Sequence, residues 1–320
     1  MELAHNIKEI NNNIQHLLDN IEKVIVGKSD VIKKVLVTLL AKGHLLIEDV
    51  PGVGKTSLAQ TLSKSLSLLF KRVQFTSDIL PTDITGVSIY DQKEMEFKFR
   101  PGPLFANLVL ADEINRAAPK TQSALLEAMN DNQVSVDNLT HKLPEPFMVI
   151  ATQNPVEYYG TYPLPESQLD RFMMKIKMGY PSVMYEKKML LERTNGLKKI
   201  NIEPVLHIDE LIEMQNMVEK VKIEESLVNY MVSIITATRE SKHLELGVSP
   251  RGGLICQQAV RAHALLEGRD YAIPDDFKEL AVPIFAHRVI LDARKGSYQR
   301  RSEDADIIIQ EIVNSIPVPL

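Results

Sequence analysis

One cysteine in 320 residues, Cys256, excludes an intramolecular disulfide and any cysteine-rich metal site. It sits in an apolar helical pattern and reads as inert core, in keeping with a reducing compartment. Basic residues never run longer than two in a row and the net charge is −5, which argues against nucleic-acid binding by bulk electrostatics, although a local basic groove stays compatible. No low-complexity segment or internal repeat is visible. Met1–Asn20 carries Glu2, Lys8 and Glu9 among several Asn and is not expected to be a signal peptide. The apolar run Val35–Ala41 is far too short to span a bilayer. These absences lead to the expectation of a cytoplasmic protein without membrane insertion. What remains, 44% hydrophobic and 25% charged residues over this length, suits a globular chain of two domains.

The strongest positive signal is His44–Ser57. Leu45–Ile47 reads as a buried strand that runs into a Pro/Gly turn and leaves through Lys55-Thr56 into a helical pattern, Leu58, Ala59, Leu62 and Leu66. Strand, glycine-rich loop and helix N-terminus together make a phosphate cradle, because glycines let backbone N–H groups point inward and the helix end adds positive potential. The stretch Gly52, Val53, Gly54, Lys55, Thr56 and Ser57 is therefore the expected nucleotide-binding loop. Lys55 would reach the β- and γ-phosphates and the Thr56 hydroxyl would hold Mg²⁺. Asp49 replaces the first glycine of the usual pattern. A carboxylate there is tolerable only if it points away from the nucleotide.

Ahead of the loop, Leu3, Ile7, Ile10, Ile14, Leu17 and Ile21 recur at helical spacing, and a second helix is expected over Ser29–Ala41. Between them Val26-Gly27 forms either an apolar slot for adenine or a plain turn between helices. After the loop helix, Arg72–Thr76 reads as a strand. Val87–Tyr90 and Phe97–Phe99 around the charged Asp91–Glu96 read as a hairpin that a simple doubly wound sheet does not need, a solvated excursion or a contact surface. Leu108–Ala111 is an apolar strand that delivers Asp112 and Glu113 at its end. Beside a phosphate loop, Asp112 can hold a water on Mg²⁺ and Glu113 can polarise the attacking water. A helix from Pro119 to Asp131 and a second hairpin, Val134–Val136 with Thr140–Leu143, follow.

Phe147–Thr152 is another apolar strand, and Asn154 just past it either bonds the γ-phosphate or positions water, or simply forms a turn before Pro155. Arg171 precedes the strand Met173–Met178, where it is either a surface ion pair or a group projected into a neighbour's site. From Gly179-Tyr180-Pro181 onward strands nearly disappear and helical periods dominate, at Met184–Arg193, Ile208–Val218, Leu227–Thr238, Leu254–Leu266 and Asp275–Val289. The domain boundary is expected there, with residues 1–180 as the nucleotide-binding unit and 181–320 as a helical one. Arg251 opens one of these helices; it is either solvated or bound to a partner such as a nucleotide phosphate, since a cation at that end opposes the helix dipole. The expected fold is a parallel five-stranded sheet in the order 5-1-4-3-2, with Lys55, Asp112 and Asn154 converging at the C-terminal ends of its strands.

Taken together, Glu48–Thr56, Phe99–Pro103, Leu110–Ala117, Ala151–Pro155, Gly160–Glu166 and Leu169–Phe172 resemble the MoxR family of AAA+ ATPases, over about residues 20–290. The family commonly carries an acidic residue at the position of Asp49. The resemblance implies ATP/ADP and Mg²⁺ as cofactors, Lys55 and Thr56 as Walker A, and Asp112 and Glu113 as Walker B. It further implies Asn154 as sensor 1, Arg171 as an arginine finger supplied to the adjacent subunit, and Arg251 as sensor 2. Gly252-Gly253 stands where an Ala-containing segment is more usual. It implies a P-loop AAA+ core with β-hairpin insertions facing the pore or a partner, an all-α lid, and a hexameric ring. The family is thought to act as chaperone-like machines with a von Willebrand factor A domain protein, in complex maturation or metal-cofactor insertion. Two other readings stay in view. A nucleic-acid motor or loader is opposed by the acidic balance and the lack of a helix-turn-helix signature, and a nucleotide-gated binding module with negligible hydrolysis is opposed by Glu113.

Overall fold

Strands β1 (Leu45–Glu48), β2 (Phe70–Gln74), β3 (Leu108–Asp112), β4 (Met148–Gln153) and β5 (Met174–Ile176) form one parallel sheet. Their spatial order is β2-β3-β4-β1-β5, which is the expected 5-1-4-3-2. The computed structural model describes residues 2–155, 160–194, 201–292 and 301–319. The apolar positions Leu3 and Ile7 lie outside the described side chains.

β1, β3 and β4 are buried along nearly their whole length, the pattern of a parallel sheet covered on both faces. Side chains alternate across such a sheet, so each strand feeds two cores. Leu45, Ile47, Leu108, Leu110, Met148 and Ile150 belong to one apolar cluster, and Leu46, Val109, Ala111, Val149 and Ala151 to the other. The first cluster takes in helices α1 (Glu2–Glu22), α2 (Ser29–Leu40) and α3 (Lys55–Ser65) and runs on, without a break, into the helical C-terminal region. The second is closed by helix Pro119–Asp131 and by Phe172.

The pairings in the sheet set the site. Gln74 on β2 lies opposite Asp112 on β3, and Glu48 on β1 lies opposite Gln153 on β4. The strands therefore finish side by side, with the phosphate loop leaving β1 at the same edge.

Both expected hairpins form. Gly86–Asp91 pairs with Glu96–Pro101, and Gln133–Val136 with Leu139–Lys142, all antiparallel. The second turns through Asp137 and Asn138, both at positive φ (50° and 64°), as a two-residue hairpin turn matched to strand twist requires. Phe99 of the first hairpin stacks on His141 of the second with ring centroids 3.9 Å apart, which links the two insertions.

Beyond Gly179 the chain is helical as expected, through Val183–Thr194, Ile208–Val218, Glu225–Glu240, Pro250–Leu266 and Pro274–Phe285. Two features add to the expectation: a small ribbon, Leu244–Leu246 with Ile290–Leu291, and a closing helix, Arg301–Ser315. A strand of two residues has no periodicity for a sequence to display. Among the described residues no helix is long and apolar enough to cross a membrane.

Candidate active site

The chain leaves β1, turns through Asp49–Val53 and enters α3 at Lys55. Gly52 and Gly54 supply the curvature at φ 87° and 98°, a region that side-chain-bearing residues avoid. Asp49 is nearly buried, and both oxygens of its carboxylate are taken up by backbone amides. One oxygen accepts from its neighbour's amide, Val50 N–H (2.8 Å), and the other from Gly179 N–H (2.6 Å) just beyond β5. The departure from the usual glycine is thus a structural tie between the loop and the exit of the sheet. Val53 packs against the apolar core.

Lys55 donates from Nζ to the backbone oxygen of Asp49 at 2.6 Å. Burial lowers its pKa, while the carboxylates of Asp49, Asp112 and Glu113 pull it back up. Those last two carboxylates share a cavity of about 370 Å³ with Lys55, Thr56 and Ser57. Gly52, Gly54 and the nearly buried Asn154, just past β4, line it as well. Three adjacent strand ends and one helix N-terminus therefore bring together the loop, the acidic pair and the amide.

Each acid is held by named partners. Thr152 Oγ donates to Asp112 Oδ1 at 2.6 Å and accepts from the Glu113 N–H at 2.9 Å. Arg72 closes on Asp112 Oδ2 through Nη2 (2.6 Å) and Nε (3.2 Å). Glu113 sits in the left-handed region at φ 58°, ψ 50°. Its carboxylate accepts from Gln74 Nε2 (2.9 Å) and lies 3.0 Å from Arg116 Nε. Arg72 and Gln74 also line the cavity, yet neither was among the expected site residues. The expected strand order already set β2 beside β3, but only the register of the pair, Gln74 opposite Asp112, brings these two side chains to the acids.

A larger cavity, about 440 Å³, lies between α1 and helix Ile208–Val218. Ile10, Met214 and Met217 mix there with Glu210, Glu213 and Lys220, so it has no convergent set of anion-binding groups.

Five expected site residues lie outside the lining of the Lys55 cavity: Val53, which faces the core, and Val26, Gly27, Arg171 and Arg251. Gly27, at φ 70°, has the Tyr185 ring packed where a Cβ would stand, so this turn with Val26 abuts the segment after β5. Lys28 Nζ donates to Tyr180 O at 2.8 Å, beside the Gly179 that meets Asp49. Arg171 donates from Nη1 to Leu126 O at 2.6 Å, on a groove of about 280 Å³ shared with Glu127, Asn130 and Gln168. Arg251 donates to Asn130 Oδ1 at 3.2 Å, with its Nε 3.9 Å from Asp170 Oδ2. Both arginines gather at the far end of helix Pro119–Asp131.

Residues 44–174 match the model of the ATPase family associated with various cellular activities (AAA), and 236–312 match the AAA lid domain. The chain is 38% identical to Chaperone MoxR1 of Mycobacterium tuberculosis, with 96% of this chain and 82% of that protein covered. It belongs to the MoxR family of AAA+ ATPases. Uncharacterized protein YeaC of Bacillus subtilis is 50% identical, with 95% and 94% covered. Protein MoxR of Methylorubrum extorquens is 28% identical, with 93% of each chain covered. A crystal structure from Cytophaga hutchinsonii superposes with a TM-score of 0.89 at 37% identity, covering 99% and 98% of the two chains. Membership of this ATPase family implies nucleotide binding.

Proposed function

We propose that this MoxR-family protein hydrolyses ATP to ADP and phosphate in a hexameric ring in the cytoplasm. Ring motion would remodel or mature a protein complex, metal-cofactor insertion being one form, with a von Willebrand factor A domain protein as partner. Residues 1–180 serve as the nucleotide-binding domain and 181–320 as the lid. The observation that carries the reading is the meeting of Lys55, Thr56, Asp112, Glu113 and Asn154 in one cavity.

Lys55, now bonded to a backbone oxygen, exchanges that partner for β- and γ-phosphate oxygens. Glu113 orients and polarises the attacking water, and its amide tie to Thr152 fixes its backbone relative to Asp112. Asn154 offers an uncharged amide to the γ-phosphate or the water. Mg²⁺ fits the donors present, since the Thr56 hydroxyl and the Asp112 carboxylate are hard oxygen ligands on one cavity. Bound there, it would neutralise charge developing on the phosphates. Asp112 Oδ2 must first exchange Arg72 for that environment.

Arg171 and Arg251 lie away from the cavity of their own chain, so we assign both to the site of a neighbouring subunit. There a guanidinium, always charged, can stabilise the γ-phosphoryl oxygens in the transition state.

Titration calorimetry with ATP beside phosphate release tests the core assignment. Lys55→Ala should weaken binding, whereas Glu113→Gln should keep ATP bound and lower turnover by about 10²- to 10⁴-fold. Equal loss of binding in both variants would refute it.

A further inference from the structure

Arg288 follows helix Pro274–Phe285 in the C-terminal region, and its side chain is 1% exposed. Its guanidinium reaches across to the segment that carries Arg171. Nε donates to Asp170 Oδ1 at 2.9 Å, Nη2 to Asp170 O at 3.2 Å and Phe172 O at 2.5 Å, and Nη1 to Met173 O at 3.2 Å. Nη1 also meets Ile284 O in the helix that precedes it. The residues immediately before and after Arg171 are thereby fastened to one side chain from the C-terminal region, while Arg171 itself is left facing its groove.

Burying a guanidinium is expensive, and a well-packed apolar residue is commonly as stable in such a place. The environment bears this out: burial lowers the pKa of Arg288 to about 10 even though Asp170 opposes the shift. Asp170 spans two arginines, with Arg288 on Oδ1 and Arg251 3.9 Å from Oδ2. Helix Pro250–Leu266 comes close enough for this because residue 252 is glycine. A Cβ there would lie 2.8 Å from a Val248 methyl and 3.2 Å from Arg288 Cδ. Gly252, unusual at this helix start, thus makes room for Arg288.

We infer that Arg288 is a positioning residue for Arg171: through Asp170 and the carbonyls of Phe172 and Met173, the C-terminal helical region of each subunit sets how that subunit presents its arginine to the neighbour. The inference rests on the trans role assigned to Arg171. It makes the arginine finger an output of the C-terminal region, so that a change there in one subunit is felt at the next subunit's nucleotide.

The test is subunit mixing. Arg288→Met, which keeps bulk and removes the fork of donors, should leave the ATP dissociation constant unchanged and lower ATPase activity by about 10- to 100-fold. Mixed with Lys55→Ala subunits, which still offer a correctly held Arg171, it should regain activity, because its own cavity is intact. Asp170→Asn, milder at a partly exposed position, should show a smaller loss with the same rescue and serves if Arg288→Met does not fold. Activity within twofold of the parent in both variants would overturn the inference. So would a loss that Lys55→Ala subunits fail to rescue while they do rescue Arg171→Ala. If Arg171→Ala is not rescued either, the trans reading itself falls and takes the positioning role with it.

Discussion

The loop cavity and the arginine groove differ in how they are built. Of the cavity groups, Asp112, Glu113 and Asn154 sit at the ends of neighbouring strands and Lys55 at the start of α3, with Lys55 on the Asp49 carbonyl, Asp112 on Thr152 and Glu113 on Gln74. Arg171 and Arg251 lie on a separate surface, held to helix Pro119–Asp131 and to Asp170. On the function proposed above, one chain would carry the receiving half of a catalytic centre in the cavity and the donating half in the groove. Regular backbone assembles the first half; contacts between remote segments assemble the second.

The sharpest way to break this comparison is to remove the donating half alone. Arg171→Ala should leave ATP bound yet cut hydrolysis by about 10³- to 10⁵-fold, as measured by single-turnover phosphate release. Mixed rings with Lys55→Ala should recover activity at interfaces where an intact cavity meets an intact arginine. Mixed rings as inactive as either parent would show that the two halves belong to one subunit.

Acid should loosen the joint between the halves. His44 opens β1, accepts from Val149 N–H on β4 at 3.0 Å, and bonds Met129 O on helix Pro119–Asp131 at 2.9 Å. Burial lowers its pKa from 6.5 to about 4, so the folded protein keeps it neutral while the unfolded chain takes up a proton sooner. Its contribution is complete above pH 6.5 and is lost as pH falls toward 4. That linkage amounts to roughly 3 kcal/mol, and the buried His287, also lowered, adds in the same direction. Denaturant unfolding at steps from pH 7 to 4 should show the decline, and His44→Gln should flatten it while lowering stability at pH 7. An unchanged slope in the variant would clear His44 of the role.

The smallest effect is expected at the first hairpin, which belongs to neither half. Tyr90 and Phe97 pair edge to face at 5.3 Å on an exposed surface, with Met95 beside them. Replacing Asp91–Glu96 with a Gly/Ser turn should change basal ATPase activity by less than about twofold, since solvent-facing loop tips tolerate replacement. Pull-down with a Glu113→Gln background should then lose client or partner. A collapse of hydrolysis in intact rings would place the hairpin in the catalytic cycle.

The same contrast governs what could be read from sequence. Lys55, Asp112 and Asn154 were legible because each follows an apolar run whose strand identity and parallel order are dictated locally and by topology. Both hairpins were legible from their alternation. Arg72 was not, although it closes on Asp112 in space, because only the register of β2 on β3 brings it there. Arg251 was read as either solvated or bound to a partner such as a nucleotide phosphate; within the chain it meets Asn130 and Asp170, which no spacing announces. Arg288 gave no signal at all, since its contacts lie in a segment remote in sequence. The ribbon Leu244–Leu246 with Ile290–Leu291 went unread for want of a long enough pattern, whereas the helix Arg301–Ser315 was missed although Ala305, Ile309 and Val313 recur at four-residue spacing.

Asp49 carries a lesson for anyone engineering the protein toward the commoner motif. Glycine at this position looks like a repair, since it would restore the textual pattern of the phosphate loop. In this fold it would be a deletion. Asp49→Gly leaves the Gly179 N–H without its acceptor and frees the first turn of the loop from the exit of β5. Losing such a buried partner costs about 1–3 kcal/mol, and a more supple loop adds to the entropy lost on closing around a nucleotide. Melting temperature and ATP affinity should therefore both fall in the variant whose sequence looks most orthodox.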